Sequence, residues 1–330
     1  MTAKRVSDIA ALAEALRAAD RGSLARAITL VESTRAADRE RAERLLTSLL
    51  QHTGGALRIG ISGAPGVGKS TFIETFGAHV TGEGHRMAVL AVDPSSRRSG
   101  GSILGDKTRM ETLARNPAAF IRPSPAGITL GGVARRTRES ILLVEAAGFD
   151  VVLVETVGVG QSETAVAEMV DLFILLIGPG GGDELQGLKR GVMELADIVL
   201  VTKADGELKQ AAARAAADYG HALHLMRPKH PGLAPEVCQV SSVEGTGIAA
   251  AWGAVQRFHE ALRTSGKLTK LRTGQLRQWF WDEVQAVLAE EIAADPEVAR
   301  QARTIEAAVL AGTALPDAAA RGLIRHFRGS

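Results

Sequence analysis

The chain has 330 residues, of which 45% are apolar and 23% charged, and its formal net charge is +2. This length and composition are typical of a globular protein with a sizeable buried core. The small net charge provides no strong field to attract nucleic acid or a membrane. The one cysteine, Cys238, excludes an internal disulfide framework and a metal cluster held by cysteines alone.

The first residues do not have the pattern of an export signal, because the apolar stretch Ile9 to Leu16 is interrupted by Glu14. The longest apolar run, Leu172 to Gly178, is far too short to span a bilayer. We therefore expect a cytoplasmic protein without a membrane or nucleic-acid partner.

Residues 7–51 are rich in Ala, Leu and Arg and contain no proline. Their apolar side chains recur at helical spacing, which predicts two or three amphipathic helices. The composition changes at Thr53-Gly54-Gly55. Residues 1–55 are therefore interpreted as an N-terminal helical extension.

From Ala56 to residue 265, short apolar runs alternate with helical stretches. The predicted strands are Leu57–Ser62, Met87–Asp93, Phe120–Pro123, Val151–Thr156, Leu172–Ile177, Ile198–Thr202 and Val237–Ser241. This alternation is typical of βαβ units. It predicts an α/β fold for residues 56–265, with a mostly parallel sheet covered by helices on both faces.

The last segment, residues 266–330, shows no strand pattern and is predicted to be a C-terminal helical extension. Asp295-Pro296 marks the start of one of its helices. Trp279, Phe280 and Trp281 are consecutive, so they cannot share one helical face. We expect this apolar segment to mediate a homodimer, the commonest oligomer.

A phosphate-binding loop follows the first predicted strand. Its sequence is G-x-x-x-x-G-K-S between a strand and a helix, formed by Gly63, Ala64, Pro65, Gly66, Val67, Gly68, Lys69, Ser70 and Thr71. The glycines allow backbone N–H groups to surround a β-phosphate, and the helix N-terminus adds its positive dipole end. Lys69 is predicted to bridge the β- and γ-phosphates, and Ser70 to bind Mg²⁺.

Two acidic residues end predicted strands next to this loop, as the Mg²⁺ site of a P-loop protein requires. Asp93 ends the second strand, and Glu155 ends the fourth with the spacing Glu-x-x-Gly to Gly158. Gln161 lies two positions beyond the place where small GTPases carry their water-orienting glutamine. We assign Lys69, Glu155 and Gln161 to catalysis and expect slow hydrolysis by the isolated protein.

The strand at Ile198 ends in Thr202-Lys203-Ala204-Asp205, which corresponds to the N-K-x-D loop that reads guanine in GTPases. Lys203 would pack over the base, and the Asp205 carboxylate would accept hydrogen bonds that adenine cannot donate. Ser241, Ser242 and Val243 follow a later strand and are predicted to support the base contact. Thr202 replaces the usual Asn, so the side-chain amide is missing.

These motifs together resemble the MeaB/ArgK family of P-loop GTPases, especially the run Glu-Thr-Val-Gly-Val-Gly-Gln-Ser-Glu that begins at Glu155. The resemblance implies a homodimeric GTPase that binds GTP and GDP and acts as a chaperone of adenosylcobalamin-dependent methylmalonyl-CoA mutase. It implies that GTP hydrolysis is coupled to cofactor loading, protection and rescue of that enzyme.

The same resemblance implies roles for particular residues. Ser70, Asp93, Asp106 and Glu155 correspond to the Mg²⁺ neighbourhood of the family. Residues 178–191 correspond to a switch that signals to the mutase, and Asp183, Gln186 and Lys189 are the signalling residues that we assign within it.

Two other classes of protein remain alternatives. A metallochaperone or insertase of related fold would carry Cys or His ligands near its switches, and none is found there. A small-molecule kinase would have an arginine-rich lid, which Arg135, Arg136 and Arg138 could imitate, but the Lys-x-Asp loop argues against it. The sequence lacks an Asp-x-His-x-x-Gly signature, so we expect no stably bound cobalamin.

Overall fold

The computed structural model describes residues 2–92, 110–123, 130–156, 162–180 and 190–329, with side chains omitted for residues 2–7, 130–133 and 190. The chain divides into two compact units, Met1–Arg272 and Thr273–Ser330. The predicted divisions after residues 55 and 265 stay predictions. Among the described helices, none combines the length and apolar character that crossing a lipid bilayer requires.

The first unit contains all the strands described. They are β1 (Leu57–Gly63), β2 (Met87–Val92), β3 (Ala119–Arg122), β4 (Val151–Thr156), β5 (Leu172–Ile177), β6 (Ile198–Val201) and β7 (Glu236–Gln239). They form one seven-stranded parallel sheet in the order β3-β2-β4-β1-β5-β6-β7. The predicted α/β class and every predicted strand are confirmed, with ends that shift by one or two residues.

Helices precede, connect and follow these strands. They are α1 (Thr2–Arg17), α2 (Arg21–Glu32), α3 (Ala36–Leu49), α4 (Lys69–Gly82), α5 (Glu111–Arg115), α6 (Leu130–Ala146), α7 (Ser162–Ala167), α8 (Arg190–Met193), α9 (Lys209–Leu225), α10 (Ile248–Thr264), α11 (Lys267–Ala294), α12 (Pro296–Leu310) and α13 (Pro316–Gly329). Short 3₁₀ helices occupy Leu50–His52 and Gly206–Leu208.

Helices bury both faces of the sheet, because successive strand residues point to opposite faces. On one face α1, α2, α3, α6 and α7 share an apolar cluster with β2 and β4, and α9 covers β5 and β6. On the other face α4, α5 and α10 pack against β1 and β5. The N-terminal helices therefore belong to the core that supports the sheet.

The amino-terminal edge of the sheet contains a charged cluster that we call the Arg272 clasp. Arg272 donates through Nε to Asp171 Oδ1 at 2.8 Å and through Nη2 to Asp171 Oδ2 at 2.7 Å. Its Nη2 also donates to the Ala56 carbonyl at 2.6 Å, and Asp171 accepts the Arg58 backbone N–H at 2.8 Å. Asp171 is fully buried. The clasp thus joins the start of α11, the start of β1 and the residue before β5.

The second unit consists of the rest of α11 with α12 and α13. Asp295 caps α12, accepting the backbone N–H groups of Glu297 at 2.9 Å and Val298 at 3.0 Å, at the predicted helix start. Phe280 and Trp281 form an edge-to-face pair with ring centroids 5.4 Å apart, and both are more than half exposed. The predicted apolar helical segment therefore presents aromatic surface.

Candidate nucleotide-binding site

The phosphate loop connects β1 to α4 at the carboxyl edge of the sheet, the edge where ligands bind in open α/β folds. Gly66 and Gly68 have φ values of +81° and +99°, which other residues rarely adopt. A Cβ at Gly63 would lie 2.6 Å from the Leu176 carbonyl oxygen, so a side chain there would push β1 from β5. The loop conformation therefore depends on glycine at these three positions.

Lys69 begins α4, and its ammonium group bends back over the loop. Its Nζ donates to the carbonyl oxygens of Gly63 at 2.7 Å and Ala64 at 3.4 Å. A cation held here beside a helix N-terminus is suited to an anionic phosphate group. All nine predicted loop residues, Gly63 to Thr71, lie in this turn and the first turn of α4.

The predicted base-reading loop contacts the phosphate loop directly. Thr202, which is buried, donates its hydroxyl to the Val67 carbonyl at 2.7 Å and also approaches the Ile177 carbonyl at 3.1 Å. Lys203 has a positive φ of 54° and donates through Nζ to the Gly66 carbonyl at 2.9 Å. Thr202 thus provides a hydrogen bond to the phosphate loop without the missing amide, a contact that the sequence analysis did not foresee.

The carboxylate proposed to read the base is held by the next loop. Asp205 accepts a short hydrogen bond from the hydroxyl of Ser241, which is fully buried. The same Ser241 Oγ accepts the Glu244 backbone N–H at 3.1 Å. Thr75 of α4 donates to the Ser242 carbonyl at 3.1 Å, whereas the Val243 side chain is exposed. The two loops and α4 are therefore connected around the place expected for the base.

Glu155 lies at the end of β4, paired in register with Ile61 of β1 and largely buried. Together with the Ser70 hydroxyl at the start of α4, it offers oxygen ligands of the kind that Mg²⁺ prefers. The donor chemistry of these two residues fits the predicted metal. Asp93, Asp106, Gly158 and Gln161 lie outside the described residues, as do Asp183, Gln186 and Lys189.

A buried polar cluster lies on the other face of β4, and the sequence analysis did not identify it. Thr156 donates its hydroxyl to Ser62 Oγ at 2.7 Å, and Ser62 donates to Glu163 Oε1 at 3.2 Å. Ser162 donates to Glu163 Oε2 at 3.4 Å. All four residues are at most 2% exposed. We call this set the Glu163 cluster; its only sequence signal is polar residues at the ends of apolar strands.

Among the described residues there is no group of three or more His, Cys, Asp or Glu side chains that could hold a metal ion. Cys238 is half-buried, and burial together with the nearby Glu236 raises the pKa of its thiol. A raised pKa disfavours the reactive thiolate.

Comparison with known proteins supports the predicted GTPase class. A Caulobacter vibrioides protein described as a GTPase is 52% identical over 320 residues, which cover 97% of this chain and 98% of the relative. A Mus musculus protein, "Methylmalonic aciduria type A homolog, mitochondrial", is 48% identical, over 93% of this chain and 77% of the relative. The crystal structure of an LAO/AO transport system kinase matches with a TM-score of 0.77 and 38% identity, over 98% of both chains.

The sequence profile described as "Methylmalonyl Co-A mutase-associated GTPase MeaB" matches residues 24–297. This range includes the phosphate loop, the base-reading loop and most of the flanking helices. The resemblance stated from the motifs is confirmed, and the expected GTPase class with it. The chain belongs to the MeaB family of P-loop GTPases.

Proposed function

We propose that this GTPase uses GTP binding and hydrolysis to control cofactor loading, protection and rescue of adenosylcobalamin-dependent methylmalonyl-CoA mutase. The observation that carries the proposal is the family match over residues 24–297, since the description of that family names the mutase. The name of the mouse relative, which refers to methylmalonic aciduria, also supports it. The conserved chemistry of a P-loop site supplies the switch between GTP and GDP states.

Mg²⁺ is proposed as the metal of the reaction. Ser70 and Glu155 would hold it, with Asp93 and Asp106 as the further acidic residues of its neighbourhood. When bound, it would neutralise charge that develops on the phosphate oxygens. Lys69 would contribute to phosphate binding through the ammonium group that now contacts the loop carbonyls.

The mutase proposal is tested by measuring GTP hydrolysis with and without purified methylmalonyl-CoA mutase. We expect slow hydrolysis by the isolated protein and a clear acceleration by the mutase, because Gln161 is displaced from the usual water-orienting position. No acceleration at saturating mutase would contradict the proposed partner. A rapid isolated enzyme would contradict the expectation about Gln161.

The proposed route of signalling is tested with Lys189→Ala. We expect this variant to bind GTP normally and to lose much of the acceleration by the mutase, because Lys189 is proposed to contact the partner or a neighbouring switch. Lys209→Ala is the matched control, since Lys209 is an exposed lysine at the start of α9. Equal acceleration of the wild type and both variants would show that the signal follows another route.

A homodimer through the second unit is the accompanying proposal, supported by the exposed Phe280 and Trp281. Deleting everything after Gly266 would also remove Arg272 and its contact with the buried Asp171. The double variant Phe280→Ser/Trp281→Ser therefore tests the dimer more cleanly. We expect light scattering to report a monomer for the variant and a dimer for the wild type; a dimer in both would contradict this interface.

A further inference from the structure

Two described carboxyl groups near the end of β4, those of Glu155 and Glu163, serve opposite faces of the sheet. Val152 and Val154 of β4 pack in the cluster beneath α7, whereas Val151 and Leu153 pack in the cluster beneath α4. By this alternation, Glu155 lies on the sheet face covered by α4, and Thr156 lies on the face covered by α7. The Glu163 cluster is therefore separate from the proposed Mg²⁺ ligands, although it begins one residue later.

Close packing holds α7 against β1 next to this cluster. A Cβ at Gly60 would lie 2.7 Å from the Phe173 ring and 3.0 Å from both Val166 and Val170. The absence of a side chain at Gly60 thus allows α7 to approach the strand. Glu163, one turn before Val166, is brought over Ser62 by the same approach.

The Glu163 cluster connects three segments whose relative positions are important in a GTPase. Ser62 immediately precedes Gly63 of the phosphate loop, and Thr156 immediately precedes residues 157–161, which include Gly158 and Gln161. Ser162 follows those residues and donates to Glu163. Thr156 and Ser162 are therefore both connected to Ser62, the residue before the phosphate loop: Thr156 directly through its hydroxyl, and Ser162 through the Glu163 carboxyl group.

The hydrogen bonds of the Glu163 cluster all lead toward the Glu163 carboxyl group, which is the direction that a charged acceptor favours. Thr156 donates to Ser62, Ser62 donates to Glu163, and both carboxyl oxygens of Glu163 accept. A carboxylate strengthens and orients hydroxyl donors more than a neutral acceptor does. Burying such a group is costly, and apolar side chains of similar volume often stabilise a fold as well or better. Stability alone therefore gives a weak reason for Glu163 here.

We propose that Glu163 is a positioning residue for GTP hydrolysis, which acts through Ser62 and Thr156 to hold the end of β4 beside the residue that precedes the phosphate loop. It need not touch the nucleotide. Its contribution is to keep the end of β4, which carries Glu155, in the geometry that hydrolysis requires, where a shift of about 1 Å can cost about 100-fold in rate. The proposal depends on the GTPase activity of the chain and not on the identity of its partner.

The first test is Glu163→Gln in the full-length protein, with GTP hydrolysis measured in single turnover without any partner. Glutamine keeps the size of the side chain but removes the charge and one acceptor. We expect the hydrolysis rate constant to fall about 10-fold. The dissociation constants for GTP and GDP should change by less than about 2-fold, because the phosphate and base loops keep their own contacts.

Thr156 supplies a second pair of variants that does not change a charge. Thr156→Val keeps the shape and removes the hydroxyl that Ser62 accepts, so we expect the same selective loss of hydrolysis. Thr156→Ser restores the hydroxyl and should return the rate to within about 2-fold of wild type. Loss in Thr156→Val with rescue in Thr156→Ser would support a role for the hydrogen bond itself.

Asp197→Asn is the matched control for a loss of stability. Asp197 is also at most 2% exposed and accepts a backbone N–H, that of Phe173 at 2.8 Å, but it lies at the amino edge of the sheet. We expect this variant to unfold at a lower temperature and to hydrolyse GTP at the wild-type rate. Folded Glu163→Gln and Thr156→Val proteins with wild-type rates would overturn the proposal. So would a parallel loss of rate, nucleotide affinity and stability in all three variants.

Discussion

The two edges of the sheet differ in how their charged side chains are paired. At the amino edge, Asp171 and Asp197 each accept a backbone N–H and an Arg or Lys side chain, at distances of 2.7–2.8 Å. At the carboxyl edge, the cationic Lys69 donates to carbonyl oxygens of its own loop, and the Asp205 carboxylate accepts a short hydrogen bond from Ser241.

This difference shows how a fold can be stable and still leave room for a ligand. Carboxylates that are fully satisfied within the protein fix strand ends without any bound molecule. A lysine that contacts loop carbonyls can exchange those contacts for a phosphate group, to which a charged hydrogen bond is stronger. The amino edge therefore determines stability and the carboxyl edge determines binding and hydrolysis.

The largest effect is expected at the carboxyl edge, from Lys69→Ala. This change removes the cation over the phosphate loop and leaves the backbone amides in place. We expect the rate of GTP hydrolysis to fall by about 100- to 1,000-fold, as the loss of one preorganised charged donor does in other enzymes. The melting temperature should stay close to that of the wild type. Hydrolysis near the wild-type rate would contradict the assignment of the phosphate loop.

At the amino edge, Arg272→Ala should have the opposite effect: it should lower the stability of the fold and leave the rate of GTP hydrolysis unchanged. It leaves the fully buried Asp171 without its cation, and breaking such a pair costs about 3–5 kcal/mol. Urea unfolding should show this loss, while the folded protein hydrolyses GTP normally. Arg44→Ala is the control, because its pair with Glu40 is exposed and worth less than about 1 kcal/mol. Equal losses in both variants would contradict the role of the Arg272 clasp.

Asp205→Asn separates base recognition from phosphate binding within the carboxyl edge. The amide places a donor where the carboxylate accepts from guanine, so GTP affinity should fall about 10- to 100-fold. Xanthosine triphosphate should bind better than to the wild type. Asp218→Asn, at an exposed position of α9, is the control for charge. Unchanged GTP affinity in Asp205→Asn would mean that this loop does not read the base.

The smallest expected effect is a pH dependence at the amino edge. Burial lowers the pKa of His230 and His259, partly offset by Asp197 and Asp171 respectively. The unfolded chain therefore binds more protons near the ordinary histidine pKa of about 6.5, and the free energy of unfolding decreases as pH falls through that value. Urea unfolding at about pH 7.5 and about pH 5.5 measures the decrease. This decrease in the free energy of unfolding should be smaller in the double variant His230→Asn/His259→Asn. An equal decrease in the variant and the wild type would contradict the assignment of the pH dependence to these two histidines.

The fold was largely predictable because its signals are local. Most of the strands are apolar runs of four to seven residues followed by polar or glycine residues, as at Leu57–Gly63, whereas β7 is the short polar-ended segment Glu236–Gln239. The phosphate loop has a fixed spacing, and the base-reading loop follows a recognisable strand. These features depend on neighbours in the sequence, so periodicity and spacing were sufficient to place them.

The contacts that complete the site were not predictable in the same way, because they join residues distant in sequence. Thr202 bonds to Val67 across 135 positions, and Ser62 bonds to Glu163 across 101. A threonine in place of the usual asparagine indicated a missing amide, and only the structure shows which carbonyl its hydroxyl reaches. Nothing in the sequence near Arg272 indicates its contact with Asp171, which lies 101 positions away.

The Arg272 clasp also has a consequence for synthesis on the ribosome. Arg272 and Asp171 are 101 residues apart, which corresponds to roughly 5–20 s of translation at the usual speeds. During that interval the emerging nucleotide domain contains Asp171 without the cation that neutralises it. We expect nascent chains to dock the strand beginning at Leu172 late, and to depend on chaperones until Arg272 in the second turn of α11 leaves the exit tunnel.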